Sequence, residues 1–479
     1  MTQKHPFMIG RSWENADHTI PVTNPYTQQV FAEVSLANPS TIDRAIALAG
    51  DAFETTRRLP SHKRASICSQ IAKGIKKRQE EFAETITIES GKPLLYSRGE
   101  VARSISTFNL AAEEATRIPG EMLNLDITEA AQGKTGIVKR FPLGPVSGIS
   151  PFNFPLNLVA HKVAPALAVG NPIVLKPSSL TPLTALLLGR VIAETDAPEG
   201  SISILPCRSS DATALVEDDR LQMVTFTGSP PVGWDIKSRA GRKRVTLELG
   251  GNAGVIIEPD ADLETTAKRV CFGAFAYSGQ VCISVQRTFV HESIIDSFKD
   301  KLLNEVSTLK RGDTLLDTTT IGPLIDLENA KRIEQWIDEA VSGGAKLLTG
   351  GKRDGTFVEP AVLTQVNPKY QAVCQEAFGP LMILEPYGDF QDALRSVNDS
   401  AFGLQAGVFT NQLDKAFNAF NELEVGGVVL NDVPTFRVDN MPYGGVKDSG
   451  MGREGIKYTI EEMTEIKLLV MDQYLGNDL

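Results

Sequence analysis

The chain has 479 residues, more than one hydrophobic core usually supports, and at about 150 residues per domain we expect about three domains. Hydrophobic residues make up 42% and charged residues 22%, which is typical of a folded globular chain and excludes a disordered or fibrous protein. The formal net charge of −11 leaves no basic field that could hold nucleic acid or an anionic membrane.

Cysteine usage and apolar patterning indicate the compartment. Five unclustered cysteines argue against a disulfide framework and for a reducing environment. Residues 1–13 lack the apolar stretch of a secretory signal, and His161, Lys162 and Pro165 interrupt the apolar segment 158–175, so we expect no membrane span. The expected location is the cytoplasm.

The first third of the chain predicts long amphipathic helices. Apolar side chains recur at helical spacing from residue 40, where Ser40 or Thr41 is the expected N-cap. The predicted helices cover residues 40–55, 63–90 and 94–116. The segment 126–140 is typical of a β-hairpin with its turn at 132–134, and residues 464–471 are predicted to form a strand.

From residue 144 onward, short apolar segments bounded by Gly and Pro alternate with helical patterns. Such alternation indicates a parallel, doubly wound sheet that is covered on both faces. A first series of strands is expected at 144–150, 172–177, 201–205, 223–227, 244–249 and 253–257, with a helix at 182–195. A second series after Asp260 has helices at 263–276, 294–308 and 328–342 and strands at 287–290, 381–386 and 406–409. The pattern therefore predicts two α/β domains with a boundary near residue 251.

A crevice between two such domains favours a nucleotide or dinucleotide site at the carboxyl ends of the strands. The usual G-x-G-x-x-G fingerprint is absent from this sequence. Its nearest substitute is the run MVTFTGSPPVG, a strand ending in Gly228, with Ser229 placed to cap a helix and Pro230 at its first position. A helix N-terminus of this kind can hold a phosphate, although an ordinary strand–helix turn has the same pattern.

Two residues stand out as candidates for chemistry. Cys282 follows a Gly-containing break at 278–281, where an exposed thiol near a helix dipole or a cofactor cation could be partly thiolate. By contrast, Cys68 and Cys271 lie on apolar helical patterns typical of core thiols. Glu248 lies in an apolar strand that ends in two glycines, where burial would raise its pKa toward that of a general base. A glutamate on an edge strand facing water is the alternative interpretation.

Seven motifs follow one another along the chain: Pro-Phe-Asn-Phe-Pro (151–155), Leu-Lys-Pro-Ser (175–178), Phe-Thr-Gly-Ser (226–229), Leu-Glu-Leu-Gly-Gly (247–251), Gly-Gln-Val-Cys (279–282), Glu-Ala-Phe-Gly-Pro (376–380) and Pro-Tyr-Gly-Gly-Val-Lys-Asp-Ser-Gly (442–450). In these motifs and their order the chain resembles the NAD(P)-dependent aldehyde dehydrogenase superfamily, essentially end to end. The resemblance implies two doubly wound α/β domains, a Rossmann-like cofactor domain and a catalytic domain, with a small β oligomerisation arm.

The resemblance also implies a covalent oxidation of an aldehyde to the acid. Cys282 would attack the carbonyl, and the amide of Asn153 with the backbone N–H of Cys282 would hold the oxyanion. Hydride transfer to the nicotinamide would leave a thioester, which water activated by Glu248 would hydrolyse. No metal is expected.

The cofactor implied by the resemblance is NAD or NADP. Its expected contacts are Lys176 at the adenosine ribose, Gly228 and Ser229 at the pyrophosphate, Glu376 at the nicotinamide ribose, Phe378 beside the nicotinamide, and Ile149 and Pro151 along the groove. Many NAD-preferring members carry a glutamate three residues after the matching lysine, where this chain has Ser179. Because a serine hydroxyl can hydrogen-bond a 2′-phosphate that a carboxylate would repel, we expect NADP to be accepted.

The candidate substrate residues are Arg103, Asn157, His161 and Arg437. Together they favour a small polar or anionic aldehyde: a semialdehyde, lactaldehyde, or a phospho- or phosphono-aldehyde. Each has an ordinary alternative, since His161 fits a satisfied core histidine, Arg103 a solvated helix face and Arg437 a salt bridge between subunits. A place for Arg437 at the mouth of the substrate tunnel is also implied by the resemblance.

The expected domains are a cofactor domain (1–122 and 142–250), a catalytic domain (251–446) and an oligomerisation arm (123–141 and 460–479). The arm would pair with a second copy and make a homodimer or homotetramer, because an unpaired edge of this length favours aggregation. A CoA-acylating semialdehyde dehydrogenase is one alternative, although it would not need Glu248. A structural protein on the same scaffold is another, and Asn153, Glu248 and Cys282 together argue against it.

Overall fold

The computed structural model describes residues 3–472. Two predicted regions extend outside this range: residues 1–2 of the expected cofactor domain and residues 473–479 of the expected arm. Among the helices of residues 3–472, none combines the length and the apolar character that crossing a membrane requires.

Within residues 3–472 the strands and helices alternate as the sequence pattern predicts. The strands are β1 Gln3–His5, β2 Phe7–Ile9, β3 Ser12–Glu14, β4 Thr19–Thr23, β5 Val30–Ser35, β6 Glu121–Asn124, β7 Lys134–Pro142, β8 Val146–Ile149, β9 Ile173–Lys176, β10 Ile202–Ile204, β11 Met223–Thr227, β12 Arg244–Glu248, β13 Ala253–Ile257, β14 Val285–His291, β15 Lys346–Thr349, β16 Arg353–Asp354, β17 Phe357–Val358, β18 Ala361–Thr364, β19 Leu381–Tyr387, β20 Phe402–Gly403, β21 Gln405–Phe409, β22 Gly427–Leu430, β23 Val446–Lys447, β24 Gly450–Met451 and β25 Thr464–Asp472. The helices are α1 Pro39–Thr56, α2 Ser61–Lys77, α3 Gln79–Ser90, α4 Leu94–Glu114, α5 Asn157–Val169, α6 Leu183–Ala193, α7 Thr213–Glu217, α8 Pro230–Arg239, α9 Leu263–Phe275, α10 Ile295–Ser307, α11 Leu327–Ser342, α12 Gln371–Cys374, α13 Phe390–Asn398, α14 Leu413–Glu422 and α15 Ile456–Glu462.

The first large sheet has eight strands in the order β24-β12-β11-β8-β9-β10-β2-β3. Its five central strands, β12 to β10, run parallel, and the strands at both margins are antiparallel to their neighbours. β9 and β11 are buried along their whole length, as expected for strands with helices on both faces. The cores on this sheet include the apolar faces of α1, α2, α4, α5 and α6.

The second large sheet has seven strands in the order β15-β18-β19-β14-β13-β21-β22, all parallel except β15. β12 ends at Glu248 in the first sheet and β13 begins at Ala253 in the second. Residues 249–252 therefore carry the chain between the sheets at the carboxyl end of β12. In open α/β folds, ligands bind at such strand ends.

A separate antiparallel sheet contains β25, β7 and β6 in that order. The predicted strand at 464–471 is confirmed as β25, which pairs with β7 from Thr464–Pro142 to Asp472–Lys134. The predicted hairpin is displaced: Asn124 pairs with Thr135, so its first strand lies before residue 126 and the connection spans 125–133. A short 3₁₀ turn at Glu129–Ala131 lengthens that connection.

Two local helix predictions are wrong. The first helix begins at Pro39 instead of Ser40, and its N-cap is Asn38, whose side chain accepts a hydrogen bond from the Thr41 N–H at 2.9 Å. The single helix predicted at 63–90 is two helices that meet at Arg78, where φ is −113° and ψ is 25°. No Gly or Pro marks that break, so the apolar spacing alone could not reveal it.

A buried ion pair stabilises the region below the candidate site. Glu100 and Lys92 are both fully buried and paired, and Glu100 Oε1 accepts the backbone N–H groups of Leu156 and Asn157 at 2.9 and 3.1 Å. The Lys92 ammonium lies 3.8 Å from the centroid of the Phe154 ring. Helix α4 thus holds the start of α5 and the loop that precedes it.

We expect Glu100→Gln to lower stability by about 3–5 kcal/mol, because it leaves a buried lysine without its counter-ion. The measurement is the apparent unfolding temperature of the purified protein. Glu113→Gln on the same helix is the control, since it removes only an exposed pair with Arg117 and should change little. Equal shifts for the two variants would contradict the importance of the buried pair.

Candidate active site

An elongated groove runs along the carboxyl ends of β8, β9 and β11. It consists of two adjoining cavities of about 740 and 610 Å³, and both are lined by Pro151, Thr227, Gly228 and Pro231. The larger cavity also contains Asn153, Cys282, Glu376 and Phe378, and the smaller one contains Ile149, Lys176 and Ser179. The structure therefore brings the predicted cofactor residues and two predicted catalytic residues into one groove.

The smaller cavity offers polar groups to a ligand. Lys176 ends β9, and burial lowers the pKa of its ammonium. Ser179 follows in the loop that leads toward α6. The hydroxyl of Ser150 also lines this cavity and is buried without a hydrogen-bond partner among the described residues. An unpaired buried hydroxyl is costly, so a ligand that bonds it would be stabilised there.

The N-terminus of α8 opens where the two cavities adjoin. Ser229 occupies the N-cap position with an extended backbone and Pro230 is the first helical residue, but the Ser229 side chain makes no capping hydrogen bond. The predicted cap position and first helical residue are therefore confirmed, although the Ser229 hydroxyl does not bond the helix. Gly233 lies one turn into α8, where a Cβ would come within 2.4 Å of Leu249. The first turn of the helix thus packs directly on the crossover at the end of β12.

Glu376 and Phe378 form the opposite wall of the larger cavity. Glu376 Oε1 accepts a hydrogen bond from the Gly251 N–H at 2.9 Å, which fixes the carboxylate at the crossover between the sheets. Burial raises the pKa of Glu376 to about 7. The ring of Phe378 meets that of Phe152 edge to face at 5.8 Å between centroids. These two residues reach the groove from the connection between α12 and β19 of the second sheet, and they line it together with Gly228 and Ser229.

Cys282 lies in the turn between α9 and β14. Tyr277 and Ser278 before it have left-handed backbones, with φ of 51° and 54°, and each is held by a side-chain hydrogen bond, to Ser90 O and Gly322 O respectively. Such conformations persist only where their surroundings fix them. The Cys282 Sγ lies 3.1 Å from the Tyr443 hydroxyl, and burial raises the pKa of the thiol to about 12.

The other four thiols differ from Cys282. Cys68, Cys207 and Cys271 are buried, and burial raises the pKa of each, so the core assignment of Cys68 and Cys271 agrees with the structure. Cys374 is exposed at the end of α12. Among the five cysteines, Cys282 is the one that lines the candidate groove, and it is partly exposed.

Asn153 is buried in the loop between β8 and α5 and lines the same cavity as Cys282. Its side-chain amide donates to the carbonyl of Gln280 at 3.0 Å, two residues before Cys282. The amide is therefore fixed beside the thiol, with a neutral donor that does not titrate. Such a donor can stabilise an oxyanion that forms on a carbon attached to the sulfur.

Glu248 ends β12 and is almost completely buried. Neither carboxylate oxygen has a hydrogen-bond partner among the described residues. Burial, and then the nearby Glu454, raise the pKa of Glu248 well above its ordinary value. A Cβ at Gly444 would lie 2.9 Å from Glu248 Oε1, so the absence of a side chain there leaves room for the carboxyl. A poorly solvated carboxylate of this kind is a strong base.

The candidate substrate residues form one network behind this site. Asp439 Oδ1 pairs with Arg103 at 2.7 Å and with His161 Nε2 at 2.8 Å. Glu454 Oε2 pairs with Arg437 at 2.9 Å and with His161 Nδ1 at 3.0 Å. The structure thus brings together all four predicted substrate residues, and two carboxylates that the sequence interpretation did not include join them.

The members of this network differ in exposure. The side chain of Arg103 is 32% exposed and that of Arg437 only 6%, so Arg437 is buried and does not lie at a tunnel mouth as expected. Its partner Glu454 belongs to the same chain, so the alternative of a salt bridge between subunits is not needed. The Asn157 amide nitrogen lies 3.3 Å from His161 Nε2, and the amide oxygen accepts from Ser104 and Thr107 on α4.

Sequence analysis missed Lys162, Asp439, Tyr443 and Glu454. Two of them carried a signal: Tyr443 lies inside the motif at 442–450, and Lys162 is a charged residue on α5, a helix that is buried on every side. The ammonium of Lys162 donates to Thr227 Oγ1 at 2.7 Å and Glu454 Oε1 at 3.3 Å. Asp439 and Glu454 could not be found, because the histidine they share, His161, is 278 and 293 residues away from them along the chain.

Comparison with known proteins agrees with this geometry. The model of the aldehyde dehydrogenase family matches residues 13–469. The chain belongs to the aldehyde dehydrogenase family. Among its relatives, 3-sulfolactaldehyde dehydrogenase of Priestia aryabhattai is 43% identical over 471 residues, covering 98% of each chain. Lactaldehyde dehydrogenase of Methanococcus maripaludis is 40% identical over 460 residues, covering 94% of this chain and 97% of that one.

Solved structures show the same fold. Aldehyde dehydrogenase 21 from Physcomitrella patens, in complex with the reaction product succinate, superimposes with a TM-score of 0.97 at 47% identity over 100% of both chains. Glyceraldehyde-3-phosphate dehydrogenase from Methanocaldococcus jannaschii, complexed with NADP, has a TM-score of 0.92 at 38% identity, covering 95% of this chain and 100% of that one. The predicted fold class and the predicted enzyme class are confirmed.

The chain is an NAD(P)-dependent aldehyde dehydrogenase, and its groove fits NAD or NADP. Ser150 with its unpaired hydroxyl, Ser229 at the N-terminus of α8, and Glu376 with one oxygen bound to the Gly251 N–H all line the same pair of adjoining cavities. These are the donors and acceptors that ribose hydroxyls and a pyrophosphate require. The groove runs from Lys176 toward Cys282 and so leads to the thiol.

Proposed function

We propose that this aldehyde dehydrogenase oxidises a short aldehyde bearing an anionic or strongly polar group, and that it does so through a covalent intermediate on Cys282. The observation that carries the proposal is the charge of the cluster behind the thiol. Three basic side chains, Arg103, Lys162 and Arg437, face the carboxylates of Asp439 and Glu454, and burial raises the pKa of the third carboxyl, Glu248.

An excess of positive charge in a poorly solvated site favours an anion nearby. The relatives named above support the same substrate class. The bound product in the moss enzyme, succinate, is a dicarboxylate, and 3-sulfolactaldehyde carries a sulfonate. Arg103 is the basic residue of the cluster with partial exposure, and its Nε atom has no hydrogen-bond partner among the described residues. We therefore propose Arg103 as the cation that the anionic end of the aldehyde meets.

The proposed mechanism follows from the positions of three residues. The Cys282 thiolate adds to the aldehyde carbon, and the oxygen that becomes negative accepts hydrogen bonds from the Asn153 amide and the Cys282 N–H. Bound NAD or NADP supplies the hydride acceptor. Collapse of the thiohemiacetal leaves an acyl thioester on Cys282. Glu248 then takes a proton from water, the hydroxide attacks the acyl carbon, and the acid leaves with Cys282 regenerated.

A CoA-acylating reaction has no specific support in this geometry. That reaction passes the acyl group to a thiol and needs no base to activate water. Glu248 lies at the end of β12 with both oxygens free of protein hydrogen bonds among the described residues, as a water-activating base requires. Hydrolysis of the thioester is therefore the proposal.

We further propose that the chain forms a homodimer or homotetramer through the sheet of β6, β7 and β25. β25 pairs on one side only within the described chain, and its apolar side chains Ile466, Leu468, Leu469 and Val470 are about half exposed. An exposed, nine-residue apolar edge strand favours pairing with another chain. In this proposal the first large sheet belongs to the cofactor domain, the second to the catalytic domain, and the three-stranded sheet to the oligomerisation arm.

We expect Arg103→Met to raise KM for succinate semialdehyde by roughly tenfold or more, while KM for uncharged butanal changes little. The substitution removes a charge-assisted hydrogen bond to the distal carboxylate and keeps most of the side-chain volume. The measurement is the initial rate of reduced-nicotinamide formation with each aldehyde.

Arg98→Met is the matched control for this prediction. Arg98 lies on the same helix but pairs at the surface with Glu80 and Asp317, so its replacement should change neither KM. Equal increases of KM for the charged and the uncharged aldehyde in Arg103→Met would refute the anion site.

We expect Ser179→Glu to lower kcat/KM for NADP by at least about tenfold relative to NAD, because a carboxylate there repels a 2′-phosphate and accepts a hydrogen bond from a 2′-hydroxyl. Ser179→Ala separates the two effects, since it removes the hydroxyl without adding charge. The ratio of kcat/KM for the two cofactors is the measurement. If Ser179→Glu impairs both cofactors equally, Ser179 does not face the ribose 2′ position.

A further inference from the structure

We infer that Tyr443 is a catalytic residue of this enzyme, because its phenol donates a hydrogen bond to the Cys282 thiolate. We infer further that Arg437 is the positioning residue that holds and strengthens this donor. The inference rests on the proposed function in one respect, that Cys282 is the nucleophile. It gives Tyr443 a role beside the nucleophile. Arg437, which the sequence had placed at the substrate, then acts on the nucleophile as well.

The contact between the two groups is direct. The Tyr443 hydroxyl lies 3.1 Å from the Cys282 Sγ, and no other residue in the described range is within hydrogen-bond distance of that hydroxyl. Tyr443 is 3% exposed and packs in an apolar cluster with Tyr277, Val281 and Ile283. Water therefore does not compete for the phenol, and the thiol is its partner.

The direction of the hydrogen bond follows from which group ionises. Burial raises the pKa of Cys282 to about 12, and the hydrogen bond from Tyr443 is the largest of the influences that lower it. Burial raises the pKa of Tyr443 well above its usual range, and the neighbouring thiol raises it further. A thiol is the more acidic of the two groups, with an ordinary pKa of about 8.5 against about 10 for a phenol, so the sulfur is the group that loses its proton. Once it has done so, only the phenol can donate, and its proton stays on oxygen throughout.

Arg437 packs on the face of the Tyr443 ring. Its guanidinium carbon is 3.5 Å from the centroid of the Tyr443 ring, which is a close cation–π contact. A cation on the ring face draws electron density from the phenol oxygen and makes its O–H a stronger donor. The same charge also lowers the pKa of Cys282, in the direction that a nucleophile requires.

Glu454 holds both members of the stack. Its backbone N–H and C=O bond the C=O and N–H of Tyr443, at 2.6 and 3.0 Å, and its carboxylate accepts from Arg437 at 2.9 Å. The Arg437 guanidinium also lies 2.7 Å from His161 Nδ1, and His161 Nε2 lies 2.8 Å from Asp439 Oδ1. The guanidinium is thus fixed over the ring by partners that do not touch the thiol.

The test measures the thiolate directly and needs no substrate. Purified enzyme without aldehyde is treated with iodoacetamide at several values of pH, and the alkylation rate of each cysteine is read from peptide mass spectrometry. In Tyr443→Phe the rate at Cys282 should fall roughly three- to tenfold at each pH below the thiol pKa. Loss of one hydrogen bond to a charged group lowers the thiolate fraction about tenfold. The thiolate of higher pKa is more nucleophilic, which offsets part of the loss in rate.

Two controls lie within the chain. Cys374 is exposed and lines a different cavity from Cys282, so its alkylation rate in the same digests should stay constant. Tyr387→Phe removes a buried phenol from a different apolar cluster, where its hydroxyl bonds the Ile257 carbonyl and Glu258, and it should leave the Cys282 rate unchanged. An unchanged or faster Cys282 rate in Tyr443→Phe overturns the inference, because the phenol then only shields the thiol.

The role of Arg437 is tested by Arg437→Lys, which keeps the positive charge and loses the planar stack. Alkylation of Cys282 should slow in this variant but not slow further when Tyr443→Phe is already present. Equal slowing in both backgrounds would show that Arg437 acts on the thiol without Tyr443, and would overturn this half of the inference.

Failure of the proposed function gives a different result. If Cys282→Ser retains aldehyde oxidation, the nucleophile itself is wrong. If Cys282→Ser is inactive and Cys282 of Tyr443→Phe is alkylated at the same rate as in the unsubstituted enzyme, only the role of Tyr443 fails.

Discussion

The site depends on residues 437–454, a return segment near the end of the chain that crosses back to the first sheet. β24 pairs antiparallel with β12, and Leu247 and Glu248 oppose Met451 and Gly450. Gly450 has φ of +139°, and a Cβ there would lie 2.0 Å from the Leu247 carbonyl oxygen, so only glycine permits this pairing. Through this contact, the loop that contains Gly450 lies directly beside Glu248, the proposed general base.

This return segment also sets the electrostatics of the site. It carries Arg437, Asp439 and Glu454, which pair with the buried His161 and Lys162 of α5. Buried charges are tolerated only when they are paired, so α5 and the return segment must fold together. The consequence for chemistry is that Glu248 has no hydrogen-bond partner within residues 3–472, while Lys162, Arg437 and Glu454 beside it are paired with one another.

Sequence analysis could predict the fold and the position of the chemistry, because both are local properties. The apolar periods of β11, β12, β13 and α9 are visible in the sequence and match the structure to within a residue. The turn around Cys282 and the strand end at Glu248 were also visible. The break at Arg78 and the early start of the hairpin were not, since packing against distant elements decides them.

The electrostatic network was beyond sequence reasoning for the same reason. Arg103 and Arg437 stood out as cations, but nothing local shows that Asp439 and Glu454 pair with them. The stack of Arg437 on Tyr443 joins two residues of one loop, yet it depends on the way Glu454 bridges that loop. The two arginines, which had suggested one anion site, therefore have different proposed roles. Arg103 binds the anionic end of the aldehyde, and Arg437 acts on the thiol through Tyr443.

The central claim is that Cys282 carries the acyl group until Glu248 activates water to release it. The most direct measurement is the intact mass of Glu248→Gln after mixing with succinate semialdehyde and oxidised cofactor. The account predicts an acyl adduct that accumulates on close to one site per chain, maps to the Cys282 peptide and is absent when Cys282 is also replaced by Ser. An enzyme that turns over with no adduct in Glu248→Gln, or with the adduct on another side chain, would contradict it.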